Sequence, residues 1–113
     1  MTQENPNTLV ECYSFLEKIE GVEEWLKMPE DKAVLEAHMS LGRRIRNEWG
    51  LWSGSKLKTH LEEYGLTHPD DMSSVIFTCF HRYKNNRPIN LNEQVENYKK
   101  FWNTPEHDRY STI

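Results

Sequence analysis

No run of apolar residues in this chain approaches the roughly 20 that a membrane-crossing helix needs, so none of its 113 residues is expected to span a bilayer. Basic residues are in deficit as well. Fourteen Lys and Arg face 18 Asp and Glu, a formal charge of −4. Phosphate binding relies on concentrated Lys and Arg that displace counterions, so the balance argues against a general nucleic-acid binder and suits a basic protein partner. Only two cysteines occur, Cys12 and Cys79. Each falls on the apolar side of an expected helix and reads as a buried, reduced thiol of a cytoplasmic protein, although the sequence leaves a disulfide between them open. The opening residues MTQENPNT lack the basic and apolar blocks of a signal peptide, which points the same way.

Catalytic motifs are also missing. The five histidines include no pair on one helix face with a glutamate between them, and no cysteine lies at zinc-finger spacing. Ser53-Gly54-Ser55 is too poor in glycine for a phosphate loop and does not match a nucleophile elbow. No catalytic residue, metal ligand or cofactor is therefore expected.

The chain does have rings: four Trp, five Tyr and four Phe. Each buried aromatic removes about 150–250 Å² from water, so a core few in residues but rich in rings is feasible. A chain of this length buries roughly two thirds of its unfolded surface. Apolar residues recur at helical spacing, and no strand pair carries a hairpin signal. The expectation is an all-α, compact single-domain bundle of five to six helices over residues 8–103, with a flexible arm at 1–7 and a flexible tail at 104–113.

Thr8 with Glu11 has capping-box spacing and opens a helix over 9–20, closed at Gly21. Val22 to Met28 reads as a short helix ended by Pro29. From there to Trp49 a single helix is expected, with Val34, Leu35, His38, Leu41, Gly42, Ile45 and Trp49 on its apolar stripe and Met39 and Arg46 at the edge. Gly42, costly in a helix interior, suggests a close backbone approach. A Ser at 53 or 55 caps the next helix, whose apolar positions are Leu57, Leu61 and Tyr64; Gly65 and Leu66 close it. Thr67-His68-Pro69-Asp70-Asp71 is the clearest start signal in the chain, with proline in the first turn and acids facing the positive helix end. The helix after it should bury Met72, Val75, Ile76, Cys79, Phe80 and Tyr83, leaving His81 solvated. Asn90 with Glu93 repeats the capping spacing before a stripe of Leu91, Val95, Tyr98 and Trp102, with Phe101 at its edge.

Candidate functional residues cluster between 46 and 71. His38, central in an apolar stripe, reads as a neutral imidazole bonded to backbone. Arg46 needs a partner if half-buried, and Asp70 or Asp71 can supply one, fixing the angle between two helices. Trp52, in a loop, is the ring least expected to be buried, and Trp and Arg are enriched at protein-binding hot spots. The binding candidates are Arg46, Asn47, Trp49, Trp52, His68, Asp70 and Asp71.

Two strings, Arg46-Asn47-x-Trp49-Gly50-Leu51-Trp52 and His68-Pro69-Asp70-Asp71-Met72-Ser73, resemble a small bacterial domain family of unknown function that carries both segments. The resemblance spans roughly residues 35–102, with the first 30 matching loosely. It implies a bacterial or phage source and no particular activity. The functional expectation is a protein-binding module of the immunity or inhibitor kind, whose partner is a basic protein or a second copy of the chain. The alternatives are a small-ligand binder or enzyme with a polar pocket near His68, Asp70, Asp71 and Arg46, and a homodimeric structural protein.

Overall fold

Side-chain caps open three of the helices in the computed structural model, which describes residues 5–103. Helix α1 (Leu9–Leu16) starts where the Thr8 hydroxyl accepts the Glu11 amide at 3.2 Å. The Glu11 carboxylate reaches past Thr8 to the amide of Asn7, at 2.9 Å, so the expected reciprocal box opens by one residue. Beyond Leu16 the chain tightens into bonds spanning three residues, Lys18 to Phe15 and Ile19 to Leu16, before α2 (Val22–Lys27).

The single helix expected from Pro29 to Trp49 is two: α3 (Glu30–Met39) and α4 (Leu41–Glu48). Ser40 sits between them at φ −114° and ψ −91°, its hydroxyl donating back to the Glu36 carbonyl at 2.8 Å. Such back-bonding lets serine compete with regular helix geometry. Gly42 makes the junction possible. A Cβ there would lie 2.9 Å from the Ala37 carbonyl and 2.7 Å from Nη1 of Arg46. The close approach inferred from the sequence is therefore real, and it comes from the chain's own preceding turn together with a side chain.

The break re-aims the stripe. Ala33 and Ala37 face the core, while Leu35 and Met39 stand 62% and 63% exposed, correcting the expectation that Leu35 is buried.

Helix α5 (Lys56–Glu63) is capped by Ser55, which accepts the Lys58 amide at 3.1 Å. It ends as expected: Gly65 donates to the Glu62 carbonyl and Leu66 to that of Leu61, the paired bonds of a Schellman closure, with Leu66 buried.

Helix α6 (Pro69–Lys84) is the axis of the fold, packed by α1, α3, α4 and, across a turn, α7 (Leu91–Asn103). Asn90, expected to cap α7, has φ +50°, which differs from the extended backbone of a capping-box residue. Seven helices, rather than five or six, and no strand make up the described residues. Leu57, Leu61, Met72, Ile76, Phe77 and Phe80 form the centre of the core.

Being covered on several sides, α6 does not divide into a wet and a dry face. His81, expected in solvent, is 2% exposed; its Nε2–H donates to the Met28 carbonyl at 3.0 Å and its ring meets Trp25 edge-on. Tyr83, expected inside, lies half exposed near the helix end, stacked on Tyr13 with centroids 4.9 Å apart. Tyr64 and Phe101 are likewise partly exposed, at 38% and 47%.

Both cysteines are free and buried. Burial raises both thiols, Cys79 to about 11, so neither carries useful thiolate at neutral pH.

Of the arm expected at 1–7, residues 5–7 are described: Asn5 donates to the Glu48 carbonyl at 2.8 Å and Pro6 is buried. The remainder of that arm and the tail at 104–113 lie outside the described residues.

Candidate functional site

The two sequence strings meet in space, and each residue in them has a local reason for its place. Gly50, at φ +69°, ends α4 in the left-handed conformation that glycine adopts without penalty. The Leu51 amide then turns back to the Arg46 carbonyl at 3.0 Å, driving Leu51 fully into the core and leaving Trp52 on the outside. In the second string the His68 Nδ1 accepts the Asp70 amide at 3.0 Å and so caps α6. Pro69 fills the first turn, where the missing N–H costs nothing.

Arg46 joins the strings. Only 8% exposed, its guanidinium donates through Nη1 to Ser73 Oγ at 2.9 Å and through Nη2 to the His38 carbonyl at 3.3 Å. Its Nε lies 3.3 Å from Asp70 Oδ1. Nη1 also faces His38 Nδ1 at 3.2 Å. Since arginine can only donate, His38 Nδ1 is the acceptor there. Its ring is thus held by a guanidinium, not by backbone as expected. Ser73, fully buried, receives from Arg46 and donates to the Asp70 carbonyl at 3.1 Å. One buried cation thereby ties the end of α3, the body of α4 and the first turn of α6.

An aromatic stack lies beside this clasp. The His68 ring packs against Trp102 of α7 nearly parallel, with centroids 5.3 Å apart and 13° between planes. Trp52 meets the same imidazole edge-on, at 5.3 Å and 78°. Trp102 donates through Nε1 to Asp71 Oδ2 at 2.6 Å. Burial pushes the Asp71 carboxyl above the ordinary aspartate range, and the Trp102 bond pulls it part of the way back. Beneath Trp102 lies a hollow of about 160 Å³, lined by Leu66, Asp71 and Tyr98 among others.

Sequence-selected candidates therefore separate. Arg46, Asp70 and Asp71 are spent on joining helices. Trp49 is buried in the core, edge-on to Phe15, and cannot meet a partner as it stands. Asn47 is exposed on α4. Trp52 stays 54% exposed, with His68 half-buried behind it. Sequence reasoning missed His38, Ser73 and Trp102 as members. Ser73 stands three residues after Asp70, a spacing that places them on one helical face, but nothing local marks Trp102 as the ring that reaches His68. No group of three or more His, Cys, Asp or Glu able to hold a metal occurs among the described residues, and no helix there is long and apolar enough to cross a membrane.

A second concavity lies away from the clasp. It is an apolar groove of about 300 Å³ walled by Ile19, Val22, Trp25 and Leu41 and floored by Phe77 and Phe80.

A small all-helical domain whose two sequence strings interlock through a buried arginine is the class that fold and geometry define. The chain belongs to the family described as "Domain of unknown function (DUF6794)", whose model matches residues 5–84. That match takes in α1 to α6 and both strings. It extends further toward the N-terminus than the resemblance read from the strings alone, and it stops before α7. Comparison with curated proteins and with solved structures gives no match.

Proposed function

We propose that this domain acts by binding another protein, with Trp52 at the centre of the contact. The observation carrying this reading is that Trp52 is more than half exposed while its ring is already fixed against His68. His68 is in turn held as the cap of α6 and by stacking on Trp102. An exposed indole that is held in place loses little freedom when a partner covers it, and tryptophan is enriched among residues that dominate interface energies. The polar-pocket alternative is weaker, because the guanidinium it would use on a ligand is already engaged by Ser73, Asp70 and His38.

The test is affinity capture with the intact chain from cells that produce it. A single protein retained in stoichiometric amount, and lost on Trp52→Ala but not on Tyr83→Ala, is the expected result. Retention by Trp52→Ala at native strength rejects the assignment. A concentration-dependent mass in light scattering, abolished by Trp52→Ala, favours the homodimer instead.

A further inference from the structure

Negative charge is unevenly spread along the chain. Residues 1–36 carry nine acids against three lysines, whereas residues 37–113 carry nine acids against eleven Lys and Arg. Eight of those nine acids, and all three lysines, belong to residues 9–36, the segment that builds α1, α2 and most of α3. Those are the elements around the apolar groove.

The groove is preformed. Trp25 donates through Nε1 to the Ala33 carbonyl at 2.7 Å, which fixes its indole as one wall. It also lies against Phe80 at 6.2 Å and Phe77 at 6.3 Å, the two rings of the floor. The volume, about 300 Å³, is about twice the roughly 150 Å³ that accommodates a benzene ring. Two acids, Glu20 and Glu36, stand on the rim. Both are exposed, and neither forms an ion pair among the described residues, unlike Glu17, Glu24 and Glu30. Apolar walls between two uncompensated carboxylates define what fits: an apolar side chain flanked by cations.

We infer that the groove between α1–α2 and the α3–α4 junction docks a basic amphipathic segment of a partner protein, inserting Leu-, Met- or Phe-type side chains over Trp25, Phe77 and Phe80 while Lys or Arg pair with Glu20 and Glu36. The surface is separate from the one around Trp52 and does not depend on it. A second copy of the chain docked symmetrically through the same groove is a poorer occupant, since the acidic segment would meet its own like charge.

The probe is a synthetic helical peptide of alternating Leu and Lys clusters, with a Leu–Glu counterpart of the same pattern, titrated into the isotope-labelled chain while backbone amide resonances are followed. The Leu–Lys peptide should shift resonances of Ile19, Val22, Trp25 and Leu41. The Glu20→Lys/Glu36→Lys double variant, altered only at exposed positions, should bind it at least tenfold more weakly and with a shallower salt dependence. The Leu–Glu peptide should leave those resonances unmoved.

Equal response to both peptides, shifts centred elsewhere, or full affinity in the double variant overturns the proposal. So do concentration-dependent shifts at the groove without peptide, which would assign it to self-association. Trp52→Ala should bind the Leu–Lys peptide at native strength, so the two surfaces fail or stand independently.

Discussion

Reversing the charge of Arg46 tests whether the clasp holds the helices at their angle or merely decorates them. In Arg46→Met the aliphatic volume is largely kept and the hydrogen bonds vanish. The bond to buried Ser73 is charge-assisted, worth about 1.5–3 kcal/mol, and the two longer contacts to the His38 carbonyl and Nδ1, at 3.3 and 3.2 Å, together add about 1 kcal/mol. The Asp70 carboxylate is 46% exposed, so water screens it and its share stays below about 1 kcal/mol. Removing the desolvated guanidinium returns part of this, because an apolar replacement of similar size recovers the cost of burying charge. Ser73 also keeps its bond to the Asp70 carbonyl and is not orphaned.

The net expected loss is about 2 kcal/mol, or about 10 °C in Tm for a domain of this size. Arg46→Glu instead buries a carboxylate beside Asp70 with no cation to meet it. Breaking a buried pair in this way costs at least about 3–5 kcal/mol, a large fraction of the roughly 5–15 kcal/mol that holds a domain together. Thermal melts followed by far-UV and near-UV circular dichroism measure both. A soluble Arg46→Glu chain melting at the native temperature refutes the clasp. A double-mutant cycle apportions it: coupling of Arg46 to Ser73 should exceed coupling of Arg46 to Asp70.

Two further outcomes follow from packing and charge. Gly42→Ala gains about 1 kcal/mol of helix propensity but drives a methyl against the Ala37 carbonyl and the Arg46 guanidinium; since neither can yield without loosening the clasp, the variant should lose about 1–2 kcal/mol net, and a raised Tm counts against the close approach. Glu30 receives Nε and Nη2 of Arg82 at 2.7 and 3.0 Å, which holds its carboxyl below the ordinary glutamate value near 4.5. Stability from this pair is therefore complete above that value and lost as pH falls through the lowered one, so Glu30→Gln should flatten the acid limb of a urea-denaturation series below about pH 4.5, and an unchanged limb would show the pair contributes nothing.

Signals confined to a few residues were readable without coordinates. Thr8, Ser55 and the His68-Pro69 start cap their helices because a cap needs only the amides two or three positions ahead. Gly65 with Leu66 closes α5 for the same local reason. A pairing of Arg46 with Asp70 or Asp71 was anticipated on weaker grounds, namely that a half-buried cation demands an acceptor and the second string offered two; which of them meets it, Asp70, only packing decided. His81, Tyr83 and Leu35 were misplaced because a helical wheel assumes one dry face. α6 is covered by α1, α3, α4 and α7 and by Trp25 of α2, and the bend at Ser40 rotates α3 against α4.

From its own residues the sequence determined an all-helical domain and where most helices begin and end, since these follow from short-range sterics, capping and apolar spacing; the expected core of rings is instead mainly aliphatic, with only Trp49, Phe77 and Phe80 among its buried rings. Tertiary structure alone decided that residues 52, 68 and 102 would stack, that Asp71 would be spent on Trp102, and that the acidic segment would border an apolar groove. Those arrangements depend on which faces are covered once distant segments pack, and no spacing within one helix records that.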